Sequence, residues 1–165
     1  MRMNQKVGRS AWDVLVNSSI ELLTRIFRDY GEIKRARELA IYIKRHLKDI
    51  KSAKDLAEIS KRVLPRKGKI HPATLVFQAL RIYVNDELGA LNEFLSKIPK
   101  VLSPRGRVVI ISYHSLEDRL VKSFLKSRSD LQLITKKPIK PGFEEIKNNK
   151  RARSAKMRIA EKRGE

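Results

Sequence analysis

The segment VVIISYHSLEDR, residues 108–119, sets Tyr113, His114, Ser115, Glu117, Asp118 and Arg119 directly after a β-branched run. Hydroxyl, imidazole and carboxylate groups this close together could serve nucleophilic, metal-binding or substrate-orienting chemistry, and each needs its own pattern. An adjacent Ser and His do not make a triad, and no Gly-x-Ser-x-Gly elbow is present, so the spacing argues against a hydrolase. The histidines, His46, His71 and His114, lack ligand spacing, and a chain without cysteine has no thiolate site, so no metal is expected. Substrate orientation remains: in open α/β sheets, ligands gather beyond the carboxyl ends of strands, where the next helix offers unsatisfied N–H groups. Ser115 followed three residues later by Asp118 also fits a helix capping box, although Glu or Gln is the usual partner. Tyr113 and His114 have no such duty in this reading and are assigned to function.

These residues need a strand and a helix to hold them. The pattern predicts a strand over Arg107 to Ser112 and a helix from about Leu116 to Ser127. LQLITKK, with alternating Leu131, Leu133 and Thr135, and AKMRIAEK, with alternating Met157 and Ile159, read as an antiparallel pair at a sheet edge. The connection KPIKPGFEEIKNNKRARS reads as a loop with one short helical turn near Phe143 to Ile146. Upstream, apolar residues recur at helical spacing in four runs from Ser10 to about Leu64, with Gly31 placed for a helix C-terminus and Ser52 for a cap. LPRKGK, from Leu64 to Lys69, reads as an exposed loop. It is followed by a mostly apolar helix opening at Pro72, then by a second helix over Leu88 to Leu102. The expected organisation is a tail at residues 1–9, a helical module at 10–70 and part of an α/β domain at 71–165.

The 165 residues hold 38 Lys plus Arg against 18 Asp plus Glu, a formal charge of +20, while a 41% hydrophobic fraction supports a folded chain. Such an excess favours a polyanionic partner, with nucleic acid ahead of an acidic membrane surface. Arg35, Lys44 and Arg45 lie on one basic helix face, although a charge run on a helix is often only a solvated face. The Arg-Ala-Arg-Ser stretch offers Arg151 and Arg153 as phosphate contacts. No apolar run approaches the roughly 18 residues of a spanning helix, and a cytoplasmic location is expected.

Three stretches, HPATLVFQALRIYVNDELGAL, LSPRGRVVIISYHSLEDRLVK and KPIKP followed by NKRARSAKMRIAEK, together with MRM at the start, resemble successive signatures of the MraW/RsmH family. The resemblance covers nearly the whole chain. It implies an S-adenosylmethionine-dependent methyltransferase acting on N4 of a cytosine in small-subunit ribosomal RNA. It also implies a fold: α/β, a partial class I (Rossmann-like) methyltransferase sheet with a helical insertion that faces RNA. By the same resemblance, Tyr113, His114, Ser115 and Asn85 become candidate catalytic residues, and His71, Arg81, Glu117, Asp118 and Arg119 candidate substrate contacts. Two departures stand out. Family members are roughly twice as long, and their Gly-rich donor turn and ribose-binding acid lie in an N-terminal half not found in these residues, whose glycines form no Gly-x-Gly cluster. Arg105 in SPRG stands where the family usually has Gly. The expected partners are therefore small-subunit rRNA or the 30S particle, plus a homodimer mate or the missing N-terminal half. A non-catalytic RNA-binding or ribosome-associated module derived from the family is the competing expectation.

Overall fold

The computed structural model describes residues 1, 3, 8–66 and 71–164, so residues 2, 4–7 and 67–70 of the expected tail and loop lie outside it. Contacts divide the chain into two compact units, Met1–Glu87 and Leu88–Glu165.

The first unit is helical. Helices α1 (Ala11–Asn17), α2 (Ile20–Asp29), α3 (Ala36–Arg45), α4 (Ala53–Val63) and α5 (Ala73–Asn85) follow in order, with a 3₁₀ turn at Leu47–Asp49 between α3 and α4. Side-chain oxygens start three of them: Ser10, Ser19 and Ser52 each accept an N–H from the third residue onward. Leu23, Phe27, Leu39, Ile43, Val76 and Leu80 form a core closed to solvent. Because α5 packs on α1, α2 and α4, it belongs with the helices, and the division falls after Glu87 rather than at the expected Ile70. Gly31 does follow α2, but the left-handed residue is Glu32, at φ 51°. Gly31 is small for another reason: a Cβ there would stand 2.7 Å from the Phe27 carbonyl oxygen.

The second unit holds α6 (Glu87–Val101, all but its first residue), β1 (Arg107–Ser112), α7 (Ser115–Ser127), β2 (Leu131–Leu133), α8 (Phe143–Asn148), a 3₁₀ helix at Lys150–Ser154, and β3 (Lys156–Lys162). Its sheet runs β1-β3-β2 with β3 antiparallel to both neighbours, so β1 and β2 point the same way. Val109 pairs with Ile159, and Leu133 with Ala160. The helices pack through Leu95, Val121 and Leu125 onto Leu131 and Ala160.

The mixed α/β class holds, with a small antiparallel sheet among the described residues, and the expected antiparallel pair of LQLITKK and AKMRIAEK is found as β2 and β3. The expected strand LQLITKK is shorter, ending at Leu133, because the Thr135 hydroxyl takes the Ile159 N–H that a ladder carbonyl would otherwise accept. The facing of β3 also differs from its alternation. Arg158 and Ala160 are buried while Met157 and Ile159 stay half-exposed, since Arg158 meets a carboxylate inside and Ala160 joins the core. Arg105 has φ 62°, the left-handed region where a side chain crowds the backbone and glycine does not.

Candidate functional site

Strand β1 delivers Tyr113 and His114 to the mouth of α7, and the local geometry corrects the capping frame read from sequence. His114 is the N-cap: it is extended (φ −136°, ψ 167°), and its Nδ1 accepts the Glu117 N–H at 3.3 Å. Glu117 completes the box, its Oε2 accepting the N–H groups of Tyr113 (2.9 Å) and His114 (3.3 Å). Ser115 is therefore the first helical residue, not the cap, and His114 does carry a structural duty.

With Nδ1 accepting a backbone proton, the neutral ring's own proton sits on Nε2. That nitrogen is buried without a hydrogen-bond partner, 3.3 Å from Glu117 Oε1. Burial pushes the Glu117 carboxyl up, but the His114 ring and the Tyr113 and His114 N–H groups outweigh it and hold the acid below its ordinary range.

Asp118 turns inward. Arg158 donates to it through Nε (2.7 Å to Oδ1) and Nη2 (3.2 Å to Oδ2), and Lys156 Nζ lies 3.5 Å from Oδ2. Desolvation pushes the Asp118 carboxyl up, but the Arg158 bonds and the charges of Arg158 and Lys156 together outweigh it and hold the acid below its ordinary range. One carboxylate between two cations leaves the group with net positive charge.

At the end of β1 these elements enclose an open cleft of about 310 Å³ between Tyr113, His114 and Ser115 on one side and Lys140, Arg153 and Lys156 on the other, with no carboxylate in its lining. The structure thus brings together Tyr113, His114, Ser115 and Arg153 of the sequence-predicted residues. Arg151 and Arg119 are exposed elsewhere on the same unit.

The remaining candidates belong to the first unit and are held by internal bonds. Asn85 Nδ2 donates to the Met1 carbonyl (3.1 Å) while its Oδ1 accepts the Met3 N–H (2.8 Å), tying the first residues to α5. Arg81 makes a two-bond pair with Glu87 (2.8 and 3.0 Å). His71 Nδ1 accepts the Ala73 N–H at the start of α5. On the basic face, Arg35 pairs with Glu38 and donates to the Val63 carbonyl, Lys44 donates to the Val16 carbonyl, and Arg45 is solvent-facing. Sequence reasoning missed Arg158, Lys140 and Lys156. Two lysines among many carry no signal, but an Arg in the middle of a strand of apolar alternation is a visible anomaly.

The family model described as the MraW methylase family matches residues 1–163. The chain belongs to the MraW methylase family. Curated MraW relatives include a ribosomal RNA small subunit methyltransferase H of Elusimicrobium minutum, 49% identical over 98% of this chain and 57% of its own length. The proteins of that name from Dictyoglomus thermophilum and Nostoc sp. are each 49% identical, over 99% and 100% of this chain and 56% and 55% of their own. This MraW chain thus spans little more than half the length of those relatives. No helix among the described residues is long and apolar enough to cross a membrane.

Proposed function

We propose that this chain is the substrate-side, C-terminal portion of an S-adenosylmethionine-dependent methyltransferase acting on a cytosine N4 of small-subunit rRNA in the cytoplasm. The carrying observation is the carboxylate-free basic cleft at the end of β1, in a chain nearly half identical to proteins named for that activity. A base must leave its stack to present an exocyclic amine, so the polypeptide has to hold the flanking backbone by charge and the extruded base by shape and hydrogen bonds. In this reading Tyr113, His114 and Ser115 of the second unit orient the cytosine; Arg119, Arg151 and Arg153 of that unit, and Asn85, His71, Arg81, Arg35, Lys44 and Arg45 of the first, contact RNA. Glu117 and Asp118 act as positioning residues, one setting the start of α7 and the other tying that helix to β3.

S-adenosylmethionine would supply an electrophilic methyl group, but the residues present do not fit its cradle. Gly31 and Gly106 each stand 2.7 Å, at a Cβ position, from the protein's own backbone oxygens and not beside an open pocket, and the turn from β1 to α7, Tyr113 and His114, holds no glycine. No step through the donor is therefore assigned to this chain, and a second polypeptide, either the N-terminal half or another copy, would complete the site. The same absence favours one rival reading, an RNA-binding module without catalysis. Titration calorimetry with S-adenosylmethionine should give no saturable heat for the chain alone. Adding the N-terminal half of a relative should then yield methyl transfer to 30S particles. Failure of transfer with intact RNA binding would select the non-catalytic module.

A further inference from the structure

Much of the +20 formal charge is scattered over exposed helix faces, where pairing and solvent absorb it. The cleft at the end of β1 is different. Lys140 and Arg153 have no acidic partner among the described residues, and Lys156 shares a single carboxylate with Arg158. Ser115, Ser154 and His114, the N-cap of α7, also line the cleft. Cations that share one cleft repel one another unless an anion sits among them. Tyr113 stands beside them more than half exposed, at 57%, offering an aromatic face next to the charge.

We infer that this cleft seats one backbone phosphate of single-stranded RNA, held by Lys140, Arg153 and Lys156, with the adjacent base on the Tyr113 ring. The assignment rests on the RNA-substrate reading above and deepens it to a named contact. An open cleft with charge beside an aromatic face fits a continuing polymer better than a free ion, because stacking platforms flanking a basic groove are how single strands are held. The cleft predicts weak sequence preference and strong salt dependence, because phosphate contacts position a strand without reading it.

The test uses the whole chain, a fluorescent single-stranded RNA oligonucleotide and, separately, inorganic phosphate. Lys140→Gln/Arg153→Gln should weaken RNA binding about tenfold at about 0.1 M salt and lower the slope of log affinity against log salt by about 0.7, the value for one phosphate on a single strand. A charge-matched control, Lys122→Gln/Lys126→Gln on the exposed side of α7, should change affinity less than threefold. Inorganic phosphate should shift the backbone amide resonances of Ser115 and Ala155 saturably in the wild-type chain and not in the cleft variant. Both variants should retain the wild-type far-ultraviolet circular dichroism. Equal losses in the two variants would overturn the cleft while leaving the RNA reading standing. Phosphate shifts without any RNA binding would overturn the assignment to RNA together with that reading, and leave a free-anion site. Neither signal would overturn both.

Discussion

Breaking the Asp118–Arg158 pair from one side and then the other should give unequal results. Asp118→Asn leaves the Arg158 guanidinium only 4% exposed, with Nη1 already unpartnered and Lys156 as its cationic neighbour. A guanidinium cannot shed its proton, so the cost should reach about 4 kcal/mol, within the range for a stranded buried charge. Arg158→Met leaves Asp118 with Lys156 still 3.5 Å away. The acid can also protonate, which caps the penalty at pH 7 near 4 kcal/mol, and with Lys156 helping we expect about 2 kcal/mol. Asp118→Leu/Arg158→Met should recover to within about 1 kcal/mol of the parent, since an apolar pair has no charge to desolvate. Urea unfolding followed by circular dichroism reads both units, and fluorescence of Trp12, the one tryptophan, reads the first. In acid, the pair's stabilisation is present above the unfolded carboxyl's pKa and disappears as pH falls through the depressed folded value. Arg158→Met costing more than Asp118→Asn, or both costing under about 1 kcal/mol, would refute the account.

Four further outcomes are expected. Arg105→Gly should raise stability by about 0.5–1 kcal/mol, because φ 62° strains any side chain; a lower melting temperature would contradict this. His114→Ala should cost about 1 kcal/mol by removing the α7 cap, and Glu117→Gln should remove the stability that the depressed Glu117 carboxylate contributes above the ordinary glutamate pKa and loses as pH falls through its lowered folded value; both are read by urea titration. Arg35→Ala and Lys44→Ala should each lower the urea midpoint through lost bonds to the Val63 and Val16 carbonyls, whereas Arg45→Ala should leave it unchanged and weaken RNA binding only slightly. Val109 and Ile111, about half exposed on strand β1, should drive self-association, so light scattering should report a dimer or larger species that Val109→Lys/Ile111→Lys converts to monomer.

The limits of β1 were legible to the residue, because a β-branched run bounded by Gly106 and Tyr113 leaves little choice. The helices of the first unit were legible from apolar spacing and, for α4, from the Ser52 cap, while the Ser10 and Ser19 caps emerged only in the structure. The start of α7 was not, for a specific reason: His114 and Glu117, and Ser115 and Asp118, are two capping frames one residue apart. Only the extended backbone at His114 decides between them. The cleft's cationic side was hidden because Lys140 and Lys156 come from segments that the sequence separates and the fold joins. Arg158 was visible as an anomaly in its strand but its burial was not, because strand alternation assigns faces by polarity, whereas a buried acid on another element can reverse the assignment.

Strand β3 lies between β1 and β2, yet it follows both in the sequence. On a ribosome, the helices of the first unit would emerge complete and could pack at once, while β1 and β2 would wait with their hydrogen-bonding edges unmatched until the strand between them arrived. Synthesis at about 5–20 residues per second leaves an interval of seconds between the emergence of β1 and that of β3. During that interval Val109 and Ile111 have no ladder partner, so the sequence of events in translation sets the period when this chain most needs a chaperone.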